Sequence, residues 1–119
     1  MKKTIIVIED NLFYQKLLKT ILEQAFFNVI LLDGSEDILS IVYEHDPFCL
    51  IVDMNLKDNI EGLSIIKHVR EDTEYRNVPI ISISAHMTKI KQLMLEDLSC
   101  YYLAKPIEIE KLTSLITQL

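Results

Sequence analysis

Phe48-Cys49-Leu50-Ile51-Val52-Asp53 is a short apolar run that ends on a carboxylate. It has the length of a strand, and its lack of polar alternation predicts a strand covered on both faces. Four further runs repeat the pattern: Thr4 to Ile8, Asn28 to Leu32, Pro79 to Ser84 and Tyr101 to Ala104. Between them apolar residues recur at helical spacing. Leu17, Leu18, Ile21, Leu22 and Ala25 do so after the first strand, and Ile109, Leu112, Leu115, Ile116 and Leu119 after the fifth. Ser35-Glu36-Asp37 marks a helix start, Pro106 is placed to open the last helix, and Asp72 to Pro79 reads as a polar loop. No composition break, linker or internal repeat interrupts the alternation. The expected fold is therefore α/β: a single (βα)5 domain over residues 1–119, with a doubly wound five-stranded parallel sheet.

Composition narrows the chemistry. The chain has 119 residues, of which 50% are hydrophobic and 25% charged, as in one ordinary globular domain. Gly34 and Gly62 are its only glycines, where average usage would give roughly eight. A Walker loop needs two closely spaced glycines and a dinucleotide fingerprint needs three, so both are excluded. The net charge of −6 opposes binding to a phosphate backbone, so no direct nucleic-acid contact is expected. Cys49 and Cys100 lie in no C-x-x-C pair and read as reduced thiols. The apolar start, Thr4 to Ile8, is cut short by Glu9 and Asp10, and the uncharged stretch from Asn77 to Thr88 is too short to span a bilayer. The expectation is a cytoplasmic protein with no membrane contact.

In open parallel sheets ligands sit beyond the carboxyl ends of the strands. The residues just past those ends are Glu9 and Asp10, then Asp53, then Ser84 and Ala85, then Lys105-Pro106. If strands 1 and 3 are neighbours, three carboxylates converge, and they either raise one another's pKa or recruit a cation. Magnesium suits an all-oxygen set of carboxylates, waters and a substrate phosphate. His45, His68 and His86 are scattered and form no softer metal site. Beside a bound cation a carboxylate can attack phosphorus and form an acyl phosphate, and Asp53 is the candidate. The three equatorial oxygens of the transferred group would be held by Mg2+, the Ser84 hydroxyl and the Lys105 ammonium. Ala85 leaves room beside the acceptor. Each residue alone has an ordinary structural reading; their occurrence at four separate strand ends carries the argument.

These segments resemble the receiver (CheY-like) domain of two-component response regulators over essentially the whole chain. The matching pieces are Ile5-Ile6-Val7-Ile8-Glu9-Asp10-Asn11, Leu50-Ile51-Val52-Asp53, Ile80-Ile81-Ser82-Ile83-Ser84-Ala85 and Tyr102-Leu103-Ala104-Lys105-Pro106. The resemblance implies the flavodoxin-like strand order 2-1-3-4-5. It also implies that Asp53 is the phosphoacceptor, and that Glu9, Asp10, Asp53 and the backbone carbonyl of Asn55 are the Mg2+ ligands. Ser84 and Tyr102 would form the switch pair, although Tyr101 beside it also reads as a candidate for the exposed position. Lys105 would contact the phosphoryl group, the Lys105-Pro106 bond would be cis, and Asn55 with His86 would tune phosphate lifetime. The implied activity is transfer of a phosphoryl group from a phosphohistidine to Asp53 and its slow hydrolysis, with no other enzymatic reaction.

The implied partners are a histidine kinase or histidine phosphotransfer protein, docking near Leu12, Phe13 and Tyr14, and a downstream effector on the face of helix 4, strand 5 and helix 5. There Met87, Ile90, Met94 and Tyr102 suggest an adaptable apolar patch. The chain would be a monomer or a weak phosphorylation-dependent dimer, with its effector outside these 119 residues. Three departures from the family pattern stand out. Gly62 lies nine residues after Asp53, where eight is commoner, and Lys57 replaces a frequent proline, so the Lys57 to Glu61 loop should bulge. Glu96 to Cys100 lacks the usual alanine-glycine pair, and His86 occupies a tuning position. A haloacid dehalogenase-type phosphatase would order its acids differently along the chain, and a flavodoxin-like carrier would have its phosphate repelled by Glu9 and Asp10. The alternative that survives is a receiver-like interaction module that is not phosphorylated.

Overall fold

The computed structural model describes residues 1–57 and 60–119. Strands and helices alternate as β1 (Thr4–Ile8), α1 (Leu12–Gln24), β2 (Asn28–Leu32), α2 (Ile38–His45), β3 (Cys49–Asp53), α3 (Gly62–Arg70), β4 (Ile80–Ser84), α4 (Lys89–Asp97), β5 (Tyr101–Ala104) and α5 (Ile109–Thr117). The strands form one parallel sheet in the order β2-β1-β3-β4-β5.

The apolar runs dictate this layering. Successive strand side chains point to opposite faces, so an uninterrupted run supplies a core to each side. Ile6, Ile8, Leu50, Val52 and Ile80 pack with Ile38 and Val42 of α2, Ile66 and Val69 of α3, and Leu95 of α4. Ile5, Val7, Cys49, Ile51, Ile81 and Ile83 pack on the other face with Leu18, Ile21 and Leu22 of α1 and Leu112 and Ile116 of α5. All five residues of β3 and of β4 are buried, whereas the edge strands β2 and β5 are mostly half-exposed. Both strands therefore end inside a covered sheet, and the chemistry they carry is held by fully buried backbone.

Backbone pairing continues past the strand ends. The Glu9 N–H donates to the Leu32 carbonyl (2.9 Å), that of Met54 to the Ile83 carbonyl (2.9 Å) and that of Lys105 to the Ser84 carbonyl (2.8 Å). These bonds fix the residues that follow β1, β3 and β5 relative to their neighbours.

Several local expectations shift. Asp37, not Ser35, caps α2, while Ser35 is held by Asp33. Pro106 does not open the last helix: it follows a cis Lys105–Pro106 bond, and α5 begins only at Ile109 with Glu108 as its N-cap. The Asp72 to Pro79 loop buries Tyr75 and Val78. Asn55 and Glu61 form an isolated antiparallel bridge, and the Leu56 N–H donates to the Ile60 carbonyl at 3.1 Å. The middle of the expected bulge, at 58 and 59, lies outside the described residues.

Candidate functional site

The site is assembled at the carboxyl edge of the sheet. Because β1 and β3 are neighbours, Glu9, Asp10 and Asp53 each bring a carboxylate oxygen within 4.8 Å of the others. Glu9 is fully buried, Asp53 nearly so, and Asp10 half-exposed. Lys105 enters from the far side of β4, its Nζ 3.0 Å from Asp53 Oδ2 and 2.6 Å from Glu9 Oε1. The Asp53 contact is a hydrogen bond, whereas Glu9 Oε1 makes an ion pair that is not aligned as one, leaving a buried carboxylate oxygen without a hydrogen bond. Glu9 Oε2 accepts from the Asn11 N–H at 3.2 Å, and Asp53 Oδ1 accepts from the Asn55 N–H at 3.0 Å.

The electrostatics follow from this crowding. Burial pushes the Glu9 carboxyl up from its usual range to about 7, and the Asp53 carboxylate pushes the same way, against the Lys105 ammonium and the Asn11 N–H. Burial works to lower the Lys105 pKa, but the bonds to Glu9 and Asp53 outweigh it and hold the ammonium above its usual value. Two buried acids against one ammonium leave an electron-rich site. Its donor set is entirely oxygen, three carboxylates with oxygens within 4.8 Å of one another, so the residues fit Mg2+. The Asn55 carbonyl accepts no hydrogen bond from the described residues and is free to join them.

Ser84 ends β4 fully buried. Its Oγ makes no hydrogen bond to Asp53; it accepts instead from the His86 N–H at 3.1 Å and lies 3.4 Å from Lys91 Nζ. His86 itself is exposed. Tyr102 is half-buried against the core on the α2-α3-α4 side of the sheet and Tyr101 is 41% exposed, which separates the two tyrosines left open by the sequence. Leu12 and Phe13 are exposed beside the acids, while Tyr14 turns inward. On α4, Ile90 and Met94 are exposed, while Met87, before the helix, packs on the core; Leu93, also exposed, joins the patch unforeseen.

Two contacts escaped the sequence. The Tyr14 ring lies 4.2 Å below the Lys105 ammonium, a cation-π contact that helps to seat it. Lys91 reaches back from α4 to donate to the His86 carbonyl at 2.8 Å. A signal for Lys91 was present, since a cation in the first turn of a helix opposes the macrodipole and needs acceptors of its own.

A doubly wound sheet in this order, with acids beyond β1 and at the end of β3, a hydroxyl at the end of β4 and a lysine after β5, defines a receiver domain. The chain belongs to the response regulator receiver domain family, whose model matches residues 5–117. It is a receiver of two-component signal transduction, a class that works between histidine kinases or phosphotransfer proteins and effectors. Among curated relatives it is similar to the polar-differentiation response regulator DivK of Brucella ovis, at 27% identity over 112 residues, covering 93% of this chain and 90% of that one. Two solved structures share the fold. The chemotaxis protein CheY4 of Vibrio cholerae has a TM-score of 0.89 at 18% identity, covering 99% of this chain and 98% of that one. The receiver domain of the sensor histidine kinase PA1611 of Pseudomonas aeruginosa, described with a magnesium ion coordinated in its active-site cleft, has a TM-score of 0.86 at 21% identity and covers 99% and 97%. No described helix is long and apolar enough to cross a membrane.

Proposed function

We propose that Asp53 accepts a phosphoryl group from the phosphohistidine of a kinase or phosphotransfer protein, and that the chain works as a single switch over residues 1–119. The observation that carries this reading is the three-carboxylate cluster closed by Lys105, which lies 3.0 Å from Asp53 and 2.6 Å from Glu9. Glu9, Asp10, Asp53 and the Asn55 carbonyl are the groups that would hold Mg2+, whose chemistry is to neutralise phosphoryl oxygens as charge develops.

The remaining work falls to the protein. An Asp53 carboxylate oxygen attacks phosphorus as the phosphorus–nitrogen bond of the donor, protonated on its other ring nitrogen, breaks; the bonding pair returns to the ring, giving an acyl phosphate and a neutral histidine. Lys105 leaves its place between Glu9 and Asp53 to hold one phosphoryl oxygen. Ser84 turns toward another. The space vacated by Ser84 admits the Tyr102 ring, and the α4-β5-α5 face changes with it, a shift between two packings that phosphorylation biases. Asn55 and His86 flank the path of hydrolytic water. Self-phosphorylation and self-dephosphorylation are then the only reactions promoted. Exposed Leu12 and Phe13 suit kinase or phosphotransfer docking, and exposed Ile90, Leu93, Met94 and Tyr101 suit an effector. The free thiols Cys49 and Cys100 accord with a cytoplasmic setting. The chain is a monomer or a weak dimer favoured by phosphorylation.

The test is incubation with Mg2+ and either acetyl phosphate or beryllofluoride. A mass gain of one phosphoryl group, or saturable amide shifts around residues 53, 84 and 105, is expected and is abolished by Asp53→Asn. Asp10→Ala should remove Mg2+ binding in a parallel titration. Absence of any Asp53-dependent change in the native protein would overturn the reading in favour of an unphosphorylated interaction module.

A further inference from the structure

We infer that Lys91 is a positioning residue that tethers the Ser84 hydroxyl on the α4 side of β4, so that α4 sets how readily Ser84 turns toward Asp53. The inference deepens the reading of Asp53 as phosphoacceptor and rests on it for its consequence, although the tether itself is a property of the unmodified protein.

Three contacts converge on one turn. Lys91 Nζ donates to the His86 carbonyl at 2.8 Å and stands 3.4 Å from Ser84 Oγ, while the His86 N–H donates to the same Oγ at 3.1 Å. A serine hydroxyl has two acceptor positions. Here both are taken by donors, one in the β4-α4 connection and one in the first turn of α4, and the hydroxyl makes no hydrogen bond to Asp53. Asp53 is already satisfied, with Asn55 N–H on Oδ1 and Lys105 on Oδ2. For Ser84 to bond an oxygen carried by Asp53, its hydroxyl must move away from Lys91, or Lys91 must follow with the His86 carbonyl.

The position of Lys91 on its helix explains why the tether holds. Thr88 caps α4, with its Oγ1 accepting from the Lys91 N–H at 3.2 Å, so Lys91 lies in the first turn. An ammonium there faces the positive end of the helix dipole and gains from any acceptor nearby. The carbonyl of His86 and the hydroxyl of Ser84 are those acceptors. The same helix carries the exposed Ile90, Leu93 and Met94, so anything that draws α4 outward or inward also acts on Ser84. Coupling of this kind is reciprocal, and a partner seated on α4 would change the ease of phosphorylation through Lys91.

The test compares beryllofluoride affinity, in Mg2+, of the full chain with Lys91→Met, Lys91→Arg, Ser84→Ala and the double variant Ser84→Ala/Lys91→Met. Loss of one hydrogen-bonded restraint predicts that Lys91→Met binds about three- to tenfold more tightly. Lys91→Arg, which keeps the donors, should stay near the native affinity, and the gain should vanish in the Ser84→Ala background. Unchanged or weaker binding by Lys91→Met, or an equal gain without Ser84, overturns the tether. Side-chain couplings of Ser84 in the unliganded protein decide it independently. A single rotamer in the native chain that becomes averaged in Lys91→Met supports the tether. Averaging already in the native chain, or none in the variant, refutes it. If the native chain binds no beryllofluoride, the phosphoacceptor reading fails, and the couplings still decide the tether.

Discussion

Gly62 shows how a single residue holds the site together. A Cβ there would collide with the Asp53 carbonyl oxygen and stand 2.9 Å from Met54 Cα, and these are backbone atoms that cannot step aside. The Gly62 N–H donates to the Met54 carbonyl at 2.9 Å, so α3 begins in direct contact with the segment that carries the acceptor. Gly34 is glycine for another reason: its φ is +102°, and the atom its Cβ would meet is Leu56 Cδ1, the end of a flexible side chain. Gly62→Ala should therefore cost about 3 kcal/mol by overpacking, against about 1–2 kcal/mol for the backbone conformation at Gly34→Ala. Urea titrations of the two variants check the order. Only Gly62→Ala should also weaken beryllofluoride binding, because only there is the Asp53 backbone pushed.

Between elements, Arg70 does what no short side chain could. From the end of α3 its guanidinium donates to the carbonyls of Leu98 (2.7 Å), Val78 (2.7 Å), Arg76 (3.0 Å) and Ser99 (3.3 Å), tying α3 to the turn before β4 and to the α4-β5 connection. The α4-β5 connection is where the family's alanine-glycine pair is missing; Ser99 takes a positive φ of 56° there instead. Arg70→Met would leave half-buried carbonyls without donors, at a cost of about 2–3 kcal/mol. Hydrogen exchange should quicken first at residues 98–100, ahead of β3. The strands, the order of elements and the strand-end residues were legible because runs such as Cys49 to Asp53 are recognisable within five residues, apolar without alternation up to the closing carboxylate. The partners of Arg70 and Lys91 were not, because a long side chain chooses acceptors that only the fold brings near; Leu98 is 28 residues from Arg70. The misplaced start of α5 has a similar cause. Pro106 satisfies the rule for a first helical position, yet the turn after β5 uses it before the helix begins.

Across the whole molecule, groups on both faces of the sheet resist losing a proton. Cys49, within the α1-α5 core, has its thiol pushed by burial from an ordinary 9 up to about 12. On the other face Tyr43 donates to Asp72 at 2.8 Å and Tyr75 to Asp46 at 2.9 Å, and their rings meet edge to face at 4.8 Å. The bond to Asp72 foremost, with burial behind it, raises Tyr43 to about 12; burial foremost, with the bond to Asp46, raises Tyr75 to about 12. In the unfolded chain all three groups deprotonate near their ordinary values, so above pH 9 to 10 the unfolded state holds fewer protons than the folded one. Stability is then lost as pH rises, and it is fully present below about 9. Cys49 alone steepens the loss by about 1.4 kcal/mol per pH unit until its folded pKa is reached. Urea midpoints measured from pH 8 to 11 should therefore fall continuously above 9. Cys49→Ala lowers the midpoint at pH 8 through its cavity but flattens the decline, because the slope reports the proton and the intercept reports the packing. Tyr43→Phe flattens it further without touching that core. A decline as steep in both variants as in the native chain would place the alkaline loss elsewhere in the molecule.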